Sequence, residues 1–184
     1  MRLFVALPIP QVVAQSIMLI QGGVPGARWQ TREQLHLTLR FIGEAGGREA
    51  AMLDDALAGI EAPGFDLQLH GVGQFGRRQP HALWAGLRKS EALEHLQHKV
   101  DNAIRRVGQP QDAYKFAPHV TVARLRNPEN GKMIEWLTHH ALFTSTEFRV
   151  EAFNLYSSVL TTDGSVYAIE REYSLEDPDG ETSD

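Results

Sequence analysis

Cysteine is absent from the 184-residue sequence, which excludes disulfide bonds, a thiol nucleophile and a zinc–thiolate site. Long hydrophobic runs are also absent, because no apolar stretch approaches the roughly 18 residues that a membrane-spanning helix needs. The apolar segment 12–20 is interrupted by Gln15 and Ser16, and Arg2 is the one basic residue before it. It therefore makes a poor signal peptide. We therefore expect a cytoplasmic protein with no membrane association.

A net basic charge is lacking as well, since the formal net charge is −5. The excess of acidic residues is confined to residues 176–184, which carry five acidic side chains and no Lys or Arg. The rest of the chain holds 23 − 5 = 18 acidic residues against 18 basic ones. A neutral body argues against coating long nucleic acids but is compatible with binding a single phosphate. We predict one domain over residues 1–175, a disordered acidic tail over residues 176–184, and a monomer.

Hydrophobic periodicity predicts short strands that alternate with helices, and hence an α+β fold. Ser90 is the predicted N-cap of the third helix, which ends near Gly108. The predicted strands cover residues 2–7, 35–42, 65–75, 82–87, 119–125, 148–157 and 166–172, and the other helices cover residues 8–20, 48–60 and 133–141.

The two halves of the chain follow the same order of strand, helix, strand with the pattern His-apolar-Thr-apolar, helix, strand. His36 lies 29 residues before Phe65, and His119 lies 29 residues before Phe148. Such internal repetition predicts two similar α+β lobes related by an approximate two-fold axis, each with one His-x-Thr-x strand.

Each His-x-Thr-x strand presents an imidazole and a hydroxyl together, because residues i and i+2 of a strand share a face. His36 thus pairs with Thr38, and His119 pairs with Thr121. Two imidazoles on either side of a phosphate suit in-line attack at phosphorus, in which one removes a proton and the other supplies one. The threonine hydroxyls suit the non-bridging oxygens. The spacing alone leaves open a second interpretation, that these are two unrelated strand histidines.

The residues around the two motifs resemble a known family. The segments HLTLRFIGE (36–44) and FAPHVTVARL (116–125) are similar to the signature segments of the 2H phosphoesterase superfamily. Together with RLFVALPIP, HALWAGL and LYSSVL before DGSVY, they make the chain resemble the bacterial and archaeal RNA 2′,3′-cyclic phosphodiesterases, also called 2′-5′ RNA ligases. The resemblance runs from about residue 2 to residue 172.

This resemblance implies a bilobal 2H fold with two antiparallel-rich sheets, outer helices and a central cleft. It also implies metal-independent hydrolysis of 2′,3′-cyclic phosphates at RNA 3′ ends to 2′-phosphomonoesters, with 2′-5′ ligation as a related phosphoryl transfer. By motif, His36 would be the proton donor and His119 the proton acceptor, while Thr38 and Thr121 would bind the phosphate. Neither a cofactor nor a metal is expected, and the partner would be an RNA 3′ end or a nucleotide.

Two arginines near the motifs are further candidates for substrate binding. Arg40 continues the alternation of His36 and Thr38, so it is expected on their face. Arg124 follows the second motif as it does in relatives, although simple alternation places it on the far face unless the strand ends or twists. Phe41 is expected to pack in the core.

Two other functions stay open. The chain could be a nucleotide-binding module that kept the fold and lost turnover, or a phosphodiesterase acting on a small cyclic nucleotide. Degenerate members of the superfamily typically lose a catalytic histidine, and the presence of both favours the enzyme.

Overall fold

The computed structural model describes residues 1–177, within which ten strands and four helices form an α+β structure, as predicted. The strands are β1 (Arg2–Pro8), β2 (Ala27–Trp29), β3 (His36–Glu44), β4 (Phe65–Leu67), β5 (Leu69–Phe75), β6 (Ala82–Leu87), β7 (Val120–Leu125), β8 (Phe148–Val150), β9 (Ala152–Thr161) and β10 (Gly164–Ser174). The helices are α1 (Gln11–Leu19), α2 (Gly47–Ala58), α3 (Glu91–Arg106) and α4 (Asn130–His139).

Local sequence accounts for the starts of two helices. Pro10 has no N–H to donate and takes an extended conformation as the N-cap of α1. The Ser90 hydroxyl accepts a hydrogen bond from the Leu93 amide at 3.1 Å, which confirms it as the N-cap of α3. The predicted strand over residues 65–75 is divided into β4 and β5, which pair with different partners. Strand β2 and a 3₁₀ turn at Arg32–Gln34 were too short for periodicity to reveal.

Within the described residues, eight strands form one antiparallel sheet in the order β10-β9-β1-β3-β7-β6-β5, with β2 added beside β7. This sheet consists of two four-stranded halves, each containing one His-x-Thr-x strand, β3 or β7. The two motif strands, which are described over their full length, pair only where Leu37 lies opposite Val120. The predicted pair of antiparallel sheets is thus joined edge to edge at one position.

The halves of the sheet are not the halves of the sequence. Strand β5, from the first half of the chain, pairs with β6, and strand β9, from the second half, pairs with β1. Strand β4, which precedes β5, pairs with β8, which precedes β9, in a separate two-stranded sheet. In this sheet Asp66 lies opposite Arg149. Each half of the chain therefore completes the sheet of the other.

The main core lies on one face of the large sheet. Alternate residues of β1 and β3, including Leu3, Val5, Leu37 and Leu39, join buried residues from all four helices in a single apolar cluster. The intervening residues, among them Phe4, point to the opposite face, where the His-x-Thr-x side chains lie. The helices thus support the strands from behind and leave the other face open for a site.

The chain after β10 stays attached to the body. Glu176 lies beside Pro63 in a parallel bridge, and its amide donates to the Ala62 carbonyl at 2.8 Å. Residues 178–184, most of the predicted acidic tail, lie outside the described residues. Over residues 1–177, no helix has the length and apolar character needed to cross a membrane.

Candidate active site

A cavity of about 300 Å³ opens on the face of the sheet away from the main core. All four motif side chains line it: His36 and Thr38 from β3, and His119 and Thr121 at the start of β7. Because Leu37 and Val120 are opposite each other in an antiparallel pair, His36 and Thr121 lie to one side of that pair and Thr38 and His119 to the other. The seam of the sheet therefore brings the two motifs to one cavity.

Both imidazoles are held in the same way. Nδ1 of His36 lies 2.8 Å from the carbonyl oxygen of Gln34, and Nδ1 of His119 lies 2.6 Å from that of Ala117. A carbonyl oxygen can only accept a hydrogen bond, so Nδ1 carries the proton and donates it in each ring. Nε2 of each neutral histidine is then left with a lone pair, ready to take up a proton.

A β-bulge follows the threonine of each motif. The pairing of β1 with β3 passes from Thr38 to Arg40 and leaves Leu39 without a partner. The pairing of β6 with β7 passes from Thr121 to Ala123 and leaves Val122 without one. An extra residue reverses the alternation of side chains beyond it. The residues five positions after each histidine, Phe41 and Arg124, consequently line the cavity.

The expected place of Arg40 beside His36 and Thr38 is wrong, because the bulge turns its side chain to the other face. Arg40 is only 5% exposed, and its Nε donates to Asp101 of α3 at 2.7 Å. The rest of the guanidinium donates to the carbonyls of Phe41 and Pro110 and lies 3.9 Å from Asp112. These contacts fasten β3 to α3 and to the loop of residues 107–119.

The prediction that Phe41 packs in the core is wrong for the same reason, and its side chain is 57% exposed at the cavity. Arg124, by contrast, reaches the cavity as the family resemblance implies. It lies beyond the bulge at Val122, where the alternation of side chains is reversed. Its positive charge lowers the pKa of both His36 and His119. The guanidinium therefore places positive potential where the two imidazoles meet.

Aromatic rings surround each histidine. The centre of the His36 ring lies 4.9 Å from the ring centre of Phe4, which is almost fully buried. It lies 5.0 Å from the ring centre of Tyr167, which is oriented edge-on. The ring of His119 lies 4.7 Å from the edge-on ring of Phe75 and 6.5 Å from that of Trp84. These walls exclude water from one side of each imidazole.

Burial is the main cause of the shifted acidity of both histidines. It lowers the pKa of His36 from 6.5 to about 4, against the opposing effect of the Gln34 hydrogen bond and with smaller contributions from the charges of Arg124 and His119. It also lowers the pKa of His119, again with Arg124 contributing. Without a bound anion, both rings are therefore neutral at pH 7.

Sequence reasoning missed several cavity residues. Ser158 and Leu160 on β9 and Ser165 and Tyr167 on β10 line the cavity from the hairpin. The alternation of residues in the LYSSVL and DGSVY segments carried a signal for them, because every second side chain of a hairpin shares a face. His81, which lies just before β6, also lines the cavity, and no periodic signal marked it. Among the described residues, no group of three or more His, Asp or Glu side chains is placed to hold a metal ion.

The chain is similar to proteins of a known family. The family described as the 2′-5′ RNA ligase superfamily matches residues 13–161. A Thermotoga maritima protein named RNA 2′,3′-cyclic phosphodiesterase is 31% identical over 186 residues, covering 96% of each chain. A protein of the same name from Archaeoglobus fulgidus is 29% identical over 171 residues, covering 91% of this chain and 96% of its own.

Solved structures share the fold over nearly the whole chain. A Thermus thermophilus protein superimposes with a TM-score of 0.78 at 27% identity, covering 97% of this chain and all of its own. E. coli LigT, crystallised with 3′-AMP, superimposes with a TM-score of 0.75 at 25% identity, covering 95% of this chain and 97% of its own.

The structural role of Arg40 can be tested by replacing it with methionine. Arg40→Met leaves Asp101 without its cation, so we expect the free energy of unfolding to fall by about 3 kcal/mol, the low end for a broken buried ion pair, because Asp101 is only partly buried. Denaturant titration measures this, with the exposed Arg105→Met of α3 as the matched control. Adding Asp101→Asn to Arg40→Met should recover part of the loss. A loss no larger than that of the control would contradict the role.

The burial of His36 predicts a specific pH dependence of stability. Its pKa is about 4 in the folded protein and about 6.5 when unfolded, so between these values the unfolded state binds more protons. Stability contributed by this group is complete above pH 6.5 and falls by up to about 3 kcal/mol as the pH drops to 4. His36→Asn should lose less stability between pH 7 and 4.5 than the parent does.

Denaturant titrations across this pH range measure the free energy of unfolding of the parent and of the variant. The carboxylates that both proteins share contribute equally, so their effect cancels in the difference. His95→Asn, on the exposed face of α3, serves as the control and should follow the parent. Parallel loss in the parent and in His36→Asn would show that His36 keeps an ordinary pKa in the fold.

Proposed function

Because the chain belongs to the 2′-5′ RNA ligase superfamily, we propose that it hydrolyses 2′,3′-cyclic phosphates at RNA 3′ ends to 2′-phosphomonoesters, without a metal ion. The curated relatives carry the enzyme name RNA 2′,3′-cyclic phosphodiesterase, and this enzyme class is the one that the site suits. The observation that carries the proposal is the pair of imidazoles, one from each half of the sheet, each anchored through Nδ1 on one cavity.

The proposed reaction is an in-line displacement at phosphorus. Nε2 of His119 takes a proton from water as the water oxygen attacks the phosphorus. The bond from phosphorus to the 3′ oxygen breaks, and His36, protonated on Nε2, gives its proton to that departing oxygen. The products are a 2′-phosphomonoester and a free 3′-hydroxyl. Each histidine ends in the protonation state in which the other began, so a proton exchange with solvent completes the cycle.

The family resemblance assigns the donor role to His36, and the environment of this histidine is compatible with it. A protonated imidazole with a lower pKa gives up its proton more readily, and the pKa of His36 is lowered to about 4. An anionic phosphate in the cavity stabilises the imidazolium form, which raises the pKa of His36 once substrate is bound. Bound substrate thus favours the protonated form that the donor role requires of His36.

The phosphate itself is assigned to Thr38, Thr121 and Arg124. The two hydroxyls flank the Leu37–Val120 seam and can donate to the non-bridging oxygens, while the guanidinium can pair with their negative charge. Such groups stabilise the transition state because they are already held in place when charge builds on those oxygens. By microscopic reversibility, a 5′-hydroxyl in the place of water would instead form a 2′-5′ linkage, and we include this ligation in the proposal.

The direct test is an RNA oligonucleotide ending in a 2′,3′-cyclic phosphate, incubated with the protein in EDTA and analysed for 2′- and 3′-phosphate products. We expect turnover to the 2′-phosphate. His36→Asn and His119→Asn should each lose about 10²–10⁴-fold in kcat, because asparagine retains an N–H donor for the carbonyl of Gln34 or Ala117 and lacks the titrating nitrogen. His95→Asn should retain full activity.

Other outcomes of this assay point elsewhere. Nucleotide binding without turnover would indicate a binding module, and turnover of small cyclic nucleotides alone would indicate a different substrate. A 3′-phosphate product would reverse which oxygen leaves, and activity lost in EDTA would indicate a metal mechanism. Near-normal activity of either asparagine variant would contradict the acid–base roles.

The lowered pKa values predict the pH profile of the reaction. The profile of kcat/KM reports the ionisations of the free enzyme, so it should be bell-shaped with a maximum below pH 6.5. The profile of kcat should peak at a higher pH, because the bound phosphate stabilises the imidazolium. Steady-state rates from pH 4 to 9 measure both.

The two asparagine variants assign the limbs of the bell. Residual activity of His36→Asn should retain only the rise with pH that comes from the base, and that of His119→Asn only the fall that comes from the acid. A kcat/KM maximum above pH 7 in the parent enzyme would contradict the lowered pKa values.

A further inference from the structure

A second depression of about 660 Å³, the side groove, lies beside the catalytic cavity. The two share five lining residues: Thr38, Phe41, Phe75, His81 and His119. From there the groove runs between the end of β5 and the loop of residues 107–119, where it is lined by Tyr114, Lys115 and Phe116. A ligand held at the histidines would therefore lie next to the side groove, on the side of Thr38 and His119.

The chemistry of the side groove suits a nucleotide. Phe41 is 57% exposed where the cavity passes into the groove, and Tyr114 is 84% exposed farther along it. Exposed aromatic rings beside a lysine are the elements with which proteins hold single-stranded nucleic acid, the rings stacking on bases and the cation pairing with a phosphate. Lys115 supplies that cation, and Arg77 and Arg78 lie in the exposed turn that follows Gly76, another groove residue.

The charge of the acidic residue in the side groove is partly neutralised. Asp112 lies 3.9 Å from the guanidinium of Arg40, and one of its oxygens accepts a hydrogen bond from the Tyr114 amide at 3.3 Å. Arg40, which also lines the groove, offsets this charge only in part, because its guanidinium pairs more closely with Asp101. These contacts hold the loop residue Tyr114 beside the groove and leave Lys115 exposed to a ligand.

We propose that the side groove binds the nucleotide on the 5′ side of the one that bears the cyclic phosphate. A reacting nucleotide held at the histidines would occupy the catalytic cavity, and the next nucleotide of an RNA chain would need an adjoining site. The groove, within the range of about 300–1,000 Å³ typical of small-ligand sites, provides it. The inference rests on the proposed function and specifies its substrate as an oligonucleotide rather than a mononucleotide.

The test compares a nucleoside 2′,3′-cyclic phosphate with a dinucleotide that ends in the same cyclic nucleotide. The parent enzyme should have a higher kcat/KM for the dinucleotide. Tyr114→Ala should lose about tenfold in kcat/KM on the dinucleotide, as expected for a lost stacking contact, and Tyr114→Phe should keep the parent value. Turnover of the mononucleotide should be unchanged in both variants.

Lys115→Ala gives an independent readout. The slope of log kcat/KM against log salt concentration should become shallower by about 0.7 on the dinucleotide, which corresponds to one phosphate contact of a single strand. It should not change on the mononucleotide. The matched controls are Leu142→Ala and Lys89→Ala, which remove an exposed apolar side chain and an exposed lysine away from the groove, and both should behave as the parent.

Two results would overturn the inference while leaving the proposed function intact. One is a parent enzyme that turns over both substrates with equal kcat/KM. The other is an equal loss on both substrates in Tyr114→Ala, which would place the reacting nucleoside itself in the side groove. An absence of turnover on either substrate would instead overturn the proposed function, and this inference with it.

Discussion

A single backbone pairing, Leu37 opposite Val120, sets the geometry on which the candidate site depends. Each of these residues stands between the His and the Thr of its motif, so joining them places both motifs on one face at the seam of the sheet. Their side chains are fully buried on the other face, in the core that the helices cover. The packing that stabilises the fold therefore also fixes the relation between the two imidazoles.

Alternation in the sequence predicted the strands, the buried aliphatic residues and the side-by-side placement of His36 with Thr38 and of His119 with Thr121. Beyond the threonine of each motif, alternation predicted the wrong face of the sheet for Arg40, Phe41 and Arg124. A β-bulge depends on how a strand meets its neighbour, and nothing in the residues of β3 or β7 alone marks where the extra residue falls. The family resemblance carried the correct side for Arg124, whereas periodicity carried the wrong one.

The surroundings of the two histidines disfavour the charged imidazolium and lower the pKa of both rings. Aromatic walls and the charge of Arg124 disfavour the imidazolium, so the empty site holds two neutral rings. The same arrangement favours an anion, because a phosphate removes the repulsion between Arg124 and a protonated histidine. A bound phosphate thus favours the protonation state that the proposed donor needs, and the hydrogen bonds to Gln34 and Ala117 leave each Nε2 free.

The exchange of strands between the two halves of the chain makes the site a property of the whole domain. Strand β5 needs β6 of the second half, β9 needs β1 of the first, and β4 pairs with β8. Neither half can complete its own sheet, although each contributes one histidine and one threonine. The two imidazoles therefore reach one cavity only where strands from both halves of the chain have paired.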